Sequence, residues 1–324
     1  MFATFVNQTW HKPYVVHYKR KMFSILIPTY HYDCSALVRE LFAQVEVLQR
    51  SSPELGTWEI LVCADGEAEP ASDYGGARIV PQPVHGGLAV TRNHLAREAR
   101  GEYLIFMDAD ARVCVDDFLL RYAEMAGQAD VVCGALRNPA GPPQAGHELR
   151  YRYEHEAEKR RPAAWRNAHP YECLTTFNIM VSRRVMEKVG FDERCREYGY
   201  EDTLFGLRLE QEGFSILHTD NPLIHTGIDS NESFLEKTEK AMRTLHRLGE
   251  PLQSRVGASR ACRRLQGLGL LPLWRAAFRL LRPALLRNLR GHSPSLWLFK
   301  MYKLGLYASL EDEKTGEDAA RSDD

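Results

Sequence analysis

"LIFMDADARV", residues 104–113, is the stretch on which the reading of this chain turns. Leu104, Ile105, Phe106 and Met107 form a short continuous apolar run, the pattern of a buried strand. Two acids follow at once, Asp108 and Asp110, with only Ala109 between them. Extended backbone sends residues i and i+2 to the same side, so the spacing predicts two carboxylates facing one point. Like charges that close repel unless something positive lies between them. The stretch therefore predicts a buried strand that ends in an acidic site needing a cationic partner.

Outward from it the chain alternates strand and helix. "FSILIPTY" (23–30) reads as a buried strand ended at Pro28, and "SALVRELFAQVEVLQR" (35–50) as a helix. "WEILVCADG" (58–66) is a second apolar strand that again ends in an acid, Asp65, and "ARIVPQP" (77–83) is a short third one. "GGLAVTRNHLAREAR" (86–100) is a helix opened by two glycines, "EYLIFMDAD" (102–110) the fourth strand, and a further helix (115–127) and strand (129–136) follow. This alternation predicts an α/β fold, a mostly parallel sheet with helices on both faces. The polar residues gather at the carboxyl ends of the strands, where open α/β sheets bind ligands.

Composition narrows the class without choosing a partner. The 324 residues are 44% hydrophobic and 26% charged with a formal net charge of −1, as in ordinary globular proteins. Seven scattered cysteines form no CxxC or Cys/His cluster, which argues against a zinc site or a disulfide framework and fits a reducing cytosol. Residues 1–22 lack the continuous apolar core of a secretory leader and read as an N-terminal extension.

Residues 137–172 are Pro-rich, then charged and aromatic, with a helix expected over about 147–161. The segment is either a surface excursion without a role or a cover over a cleft. "TTFNIMVS" (175–182) is a strand, and "EDTLFGLRLEQEG" (201–213) an amphipathic helix ended by a glycine. Glu201 and Asp202 fall in its first turn, where the helix dipole alone would stabilise carboxylates. "FSILHTDNPLIHTG" (214–227) returns to the sheet and ends at His225, by itself an unremarkable core or surface histidine.

The order of these pieces resembles a family 2 glycosyltransferase with the GT-A nucleotide-sugar fold, over about residues 23–227. "ILIPTY" (25–30) is similar to that family's opening strand, "ADG" (64–66) to its acidic turn, "HGGLAVTRN" (85–93) to its glycine stretch leading to Arg-Asn, "GEYLIFMDAD" (101–110) to its Asp-x-Asp strand, and "GFDERCREYGYEDTLFGLRL" (190–209) to its downstream Glu-Asp segment. Two positions depart from the family pattern. The acidic turn is Ala64, Asp65, Gly66, Glu67 rather than two aspartates before Gly-Ser, and His85 stands where an asparagine is usual.

The resemblance implies a role for each candidate. A nucleotide-sugar donor carries a diphosphate, which a hard cation, Mn²⁺ or Mg²⁺, bridges to protein oxygens. Asp110 would be the direct metal ligand, Asp108 would touch ribose or metal-bound water, and His225 would add a further ligand. Pro28, Thr29 and Tyr30 would line the nucleoside pocket, Asp65 would accept from a uracil-type N–H or sit near the ribose, and Arg92 would contact nucleobase or phosphate. Read without the family, Arg92 is equally a helix-surface ion pair. Asp202 would be the base that deprotonates the acceptor hydroxyl and Glu201 would help hold the acceptor. The implied chemistry is inverting transfer to a glycan or lipid-linked acceptor in cell-surface polysaccharide synthesis.

The C-terminal region carries a separate signal. Residues 251–310 contain nine arginines and two lysines with no Asp or Glu, interleaved with Leu, Trp and Phe. No apolar run reaches the ~20 residues of a membrane span. The pattern suits either basic amphipathic helices lying on an anionic membrane face, on the cytoplasmic side, or a helical hairpin packed on the catalytic domain. A nucleic-acid partner is not expected, because no binding module accompanies the arginines. The division expected is thus 1–22, a catalytic domain 23–230, a helical basic region 231–310 and an acidic disordered tail 311–324. Two rivals stand apart. A haloacid-dehalogenase-type phosphohydrolase wants Thr or Val where Arg112 stands. A non-catalytic scaffold would have no need of the acids at 108, 110, 201 and 202. A uridylyltransferase would show an early glycine-rich loop that "ILIPTYHYDCS" lacks.

Overall fold

The computed structural model describes residues 20–67 and 74–322. The chain opens with β1 (Met22–Thr29), α1 (Ser35–Ser51), β2 (Thr57–Asp65), β3 (Arg78–Gln82) and α2 (Leu88–Glu98). β4 (Tyr103–Met107) and β5 (Ala111–Val113) flank the Asp-x-Asp turn, followed by α3 (Phe118–Met125), β6 (Val131–Arg137), α4 (Glu148–Arg160) and α5 (Ala163–Ala168). Then come β7 (Asn178–Ser182), α6 (Arg183–Lys188), α7 (Glu201–Gln211) and β8 (Ile216–His225). The C-terminal region is helical as expected: α8 (Asn231–Leu248), α9 (Leu252–Arg255), α10 (Gly257–Gly267), α11 (Leu271–Leu289) and α12 (Leu296–Ser322).

The strands form one sheet in the order β3-β2-β1-β4-β7-β6-β8-β5. The α/β expectation holds, but the sheet is more mixed than the alternation suggests. β3, β2, β1 and β4 run parallel, as do β6 and β8, whereas β7 is antiparallel to both β4 and β6, and β5 to β8. The long excursion between β6 and β7 brings the chain back to the end of the sheet that it left, so β7 runs antiparallel to β6 without a βαβ crossover.

Strand alternation sorts the core into two layers. Phe23, Ile25, Ile27, Ile105 and Met107 pack with α1 and α3 on one face. Leu26, Leu61, Leu104 and Phe106 pack with α2 and α7 on the other. At ~25 cal/mol per Å² of apolar surface, burial on both faces fixes the register of β1 and β4 and hence the place where each strand stops. A third cluster, with Leu149, Phe234, Phe278, Phe299 and Tyr302, joins α4, α8, α11 and α12.

Two boundaries need comment. Residues 1–19 lie outside the described residues, so the expected N-terminal extension does too except for its last residues, and Met22 already belongs to β1. The stretch 311–322, expected to be without structure, continues the backbone of α12. Its Glu, Ala and Lys are good helix formers. Among the described residues no helix is long and apolar enough to cross a membrane.

Candidate active site

The Asp-x-Asp segment does not stay extended. After Met107 the chain turns, with Ala111 N donating to Asp108 O at 3.1 Å. β5 then pairs with β8, Ala111 opposite His225. The two carboxylates therefore part, and each finds its own cation. Asp108 Oδ1 accepts from Arg92 Nη2 at 2.8 Å. Asp110 Oδ2 lies 3.1 Å from His225 Nε2. The backbone oxygen of Asp110 accepts from Thr226 N at 2.9 Å and Thr226 Oγ1 at 2.6 Å, so β8 pins the turn in place.

Beyond that pair lies a group the sequence did not single out. Glu154 of α4 is buried, and its Oε2 sits 2.8 Å from His225 Nδ1. The ring is thus held at one nitrogen and aims the other at Asp110, the carboxylate–histidine arrangement that orients metal-ligating imidazoles. Burial disfavours the imidazolium, but hydrogen bonds to Asp110 and Glu154 outweigh it and raise the pKa of His225 to about 9. For Asp110 burial also works against its charge, yet His225 prevails and its carboxyl is held below the usual range. Gly227 is needed beside it, since a Cβ there would stand 2.1 Å from Asp110 Oδ2.

Arg92 is the hub of the acidic cluster. It projects from α2 with 1% of its surface exposed, which removes the surface-ion-pair alternative. Its guanidinium lies 5.6 Å from the Phe191 ring, and Nε and Nη1 have no hydrogen-bond partner among the described residues. Its charge acts on Asp108, Asp202 and Glu201 together. Burial pushes the Asp108 carboxyl up, and Arg92 only partly offsets this.

Glu201 and Asp202 open α7 directly after Tyr200, whose φ of 69° places it in the left-handed region. Asp202 Oδ1 accepts from Thr176 Oγ1 at 2.5 Å. A helix dipole acting alone would lower a first-turn carboxyl. Glu201 behaves in the opposite way: burial first, and then the charge of Asp202, raise it to about 7. Such a shift in a cleft makes Glu201 a functional-site candidate.

The nucleoside-side candidates divide. Thr29 Oγ1 donates to Tyr32 O at 2.6 Å, and the exposed Tyr30 ring packs 4.5 Å from His85. Asp65 is used by its own chain. It accepts from Gln82 Nε2 at 2.5 Å, Gly86 N at 2.8 Å and Gly87 N at 2.9 Å, and His85 Nδ1 lies 2.8 Å away. Asp65 therefore holds the glycine stretch that starts α2, and a base N–H would have to displace one of these partners. Gly87, with φ of 82°, passes where a Cβ would meet Arg196 O at 2.8 Å.

All ten candidates nevertheless line one cavity of about 870 Å³: Pro28, Thr29, Tyr30, Asp65, Arg92, Asp108, Asp110, Glu201, Asp202 and His225. A second cavity of about 640 Å³ shares Glu201 and Asp202 with it. The excursion 137–172 helps form both, because α4 supplies Glu154 to the histidine and Arg150 to each cavity.

Among the described residues no three His, Cys, Asp or Glu side chains form a ready-made metal cage. Magnesium-like cations commonly take only one or two carboxylates from the protein and the rest from phosphates and water. Asp110 and His225, with Asp108 nearby, fit that incomplete set. The buried Glu154–His225 contact, and Gly227 whose missing side chain admits the Asp110 carboxylate, are the features that fit it.

The family profile for glycosyl transferase family 2 matches residues 24–190, just over half of the chain, from within β1 through β7. The chain belongs to glycosyl transferase family 2. No curated protein gives a significant sequence match. Solved structures of similar fold include a mannosyltransferase from Pyrobaculum calidifontis in complex with GDP-Man and Mn²⁺, at 14% identity and TM-score 0.50, covering 90% of this chain and 87% of that one. Another is S. aureus TarS 1–349, at 17% identity and TM-score 0.44, covering 91% and 92%. A third is glucosyl-3-phosphoglycerate synthase from Mycobacterium tuberculosis, in complex with Mn²⁺, UDP-Glc and phosphoglyceric acid, at 16% identity and TM-score 0.47, covering 71% and 81%. Against a longer S. aureus TarS structure the chain covers 39% of that chain. Membership of the family and the GT-A fold set aside the haloacid-dehalogenase reading: the Asp-x-Asp here follows the fourth strand, not the first.

Proposed function

We propose that this family 2 glycosyltransferase moves a sugar from a nucleotide-sugar, with a UDP-sugar as the expected donor, to a hydroxyl of a glycan or lipid-linked acceptor, inverting the anomeric carbon. The observation that carries this reading is the shared cavity, where a phosphate-side set (Asp110, His225, Arg92, Asp108) meets a buried carboxylate pair (Glu201, Asp202). Asp202 takes the proton of the acceptor hydroxyl as its oxygen bonds to the anomeric carbon. The bond from that carbon to the diphosphate breaks, and the nucleoside diphosphate leaves. Thr176 orients Asp202, and Arg92 keeps three nearby carboxylates from repelling one another. Asp110 and His225 would hold Mn²⁺ or Mg²⁺, which neutralises charge on the departing diphosphate when bound. Isothermal calorimetry of UDP and GDP, with Mn²⁺ and with EDTA, tests the reading. The expected result is UDP binding that needs the metal. Metal-dependent GDP binding would redirect the donor, and binding of neither by the folded protein would favour the scaffold.

The expected site of action is the inner face of the cytoplasmic membrane, in surface-polysaccharide synthesis. Leu268, Leu273, Leu280 and Trp297 are 64–81% exposed. Arg264, Arg279 and Arg287 lie in the same helices and have no carboxylate partner among the described residues, whereas Arg255, Arg263, Arg282 and Arg290 pair with acids. Apolar tips among free arginines suit an anionic lipid surface, at about 1 kcal/mol per basic residue. In vesicle co-sedimentation the protein is expected to pellet with phosphatidylglycerol-containing vesicles, less so at high salt and less so as Leu280→Asp. Equal pelleting with pure phosphatidylcholine would count against it.

A further inference from the structure

The second cavity is walled by α4, α8 and α12 and meets the donor cavity at Glu201 and Asp202. Its acids are largely spoken for. Glu154 is held by His225, and Glu158 accepts from Asn138 N and Nδ2 at 3.2 and 3.0 Å. Asp202 is held by Thr176, and Asp220 lies 3.7 Å from Arg166. Glu172 is left at the exposed rim.

The cations are not matched in the same way. Arg150 faces Glu154, and Arg166 donates to Gly134 O and Thr219 O, each at 2.8 Å. Lys303 and Arg161 have no carboxylate within ion-pair distance among the described residues. Lys303 is partly buried on α12, with its Nζ 4.8 Å from the Phe299 ring centre and 5.2 Å from that of Tyr153. Arg161 follows α4 as its C-cap, is exposed, and lies 5.7 Å from the Trp165 ring. The Tyr153 hydroxyl also has no hydrogen-bond partner among the described residues. Tyr153 is partly exposed, and its pKa is pushed down, first by Lys303 and against burial, then by Arg161 and Arg150. A partly desolvated ammonium with no anion beside it is costly. Ring faces recover only part of that cost.

We infer that the acceptor carries an oxyanionic group, a phosphate or a carboxylate, held by Lys303, Arg161 and Tyr153 while its reacting hydroxyl lies at Glu201 and Asp202. The inference rests on the transferase reading above, and it makes α12 part of the acceptor site rather than only an outer helix. A neutral glycan would leave the partly buried Lys303 without a counter-charge. An oxyanion supplies each of the three donors with a charge-assisted hydrogen bond.

Calorimetry on the full chain in EDTA tests it with glucose 6-phosphate, glucuronate and glucose. Removing the metal keeps the probes from binding through the donor site. At least one anionic probe is expected to bind wild type and Asp110→Ala alike, and glucose is not. Lys303→Met should weaken that binding about tenfold or more, and Lys303→Arg should restore it, which separates lost charge from lost fold. Stronger binding of octyl phosphate than of glucose 6-phosphate would identify a lipid-linked phosphate, and the reverse order a phosphorylated sugar. Preference for glucuronate would identify a carboxylate. If no anion binds wild type, or Lys303→Met binds as well as wild type, the inference falls. UDP binding to wild type with Mn²⁺ reports separately on the transferase reading.

Discussion

Asp202→Asn is expected to lower kcat by roughly 10²–10⁴-fold, the usual weight of a positioned general base, with KM little changed. The amide keeps an acceptor oxygen for Thr176, so the loss would report chemistry rather than a disturbed helix end. Glu201 behaves differently. Its carboxyl is raised to about 7 by burial and by its neighbour's charge, so Glu201 takes up a proton near neutrality. In the proposed role ionised Glu201 accepts a hydrogen bond from the acceptor, and protonated it cannot do so with the same strength. The sign follows: kcat/KM should fall as pH drops through about 7 in wild type. Glu201→Gln should cost about tenfold and flatten that limb, since its amide does not titrate. A pH series on the three proteins decides the matter. If Glu201→Gln is the inactive variant while Asp202→Asn retains both rate and limb, the two roles are exchanged.

How much of this site could be read from the chain depended on how local its determinants are. The apolar runs of β1, β2 and β4 and the acids at their ends sit within a few residues of each other, so strand, stop and carboxylate were all legible. Asp108 and Asp110 were legible as a pair, but not their divergence. That divergence comes from β5, a three-residue strand too short to show alternation, whose pairing with β8 brings Asp110 to a histidine 115 residues away. Glu154 was hidden for another reason. It stands in a helix with Glu148, Glu156 and Glu158, and only the docking of α4 on β8 distinguishes it from them. Asp65 was recognised as an acid at a strand end, yet its oxygens go to the glycine stretch, a closure that depends on Gln82 and His85 as much as on the glycines. In the C-terminal region the packed-hairpin reading accounts for some of the arginines. Four turn inward to Glu210, Glu250, Glu239 and Glu232, and others remain facing out.

Asp110→Ala should have the other large effect. The substitution removes the carboxylate that faces His225 Nε2 and leaves the turn itself intact, because β8 grips Asp110 through its backbone oxygen. Glu154 would still hold the imidazole at Nδ1. The protein should therefore fold and present half of its phosphate-side set. A metal bridging a diphosphate contributes several kcal/mol to the leaving group's departure, and each 1.36 kcal/mol is a factor of ten. Turnover is then expected to fall by about 10³-fold or more, and calorimetry should show UDP binding that no longer responds to Mn²⁺. Asp108→Ala provides the contrast. It strips Arg92 of its one hydrogen-bonded partner and leaves a buried guanidinium beside Glu201 and Asp202. That variant should disturb both halves of the cavity, lowering stability as well as activity, whereas Asp110→Ala should lower activity and the metal response and leave stability little changed. Retention of the Mn²⁺ effect by Asp110→Ala would mean that the turn after β4 holds its acids for Arg92 and His225 alone.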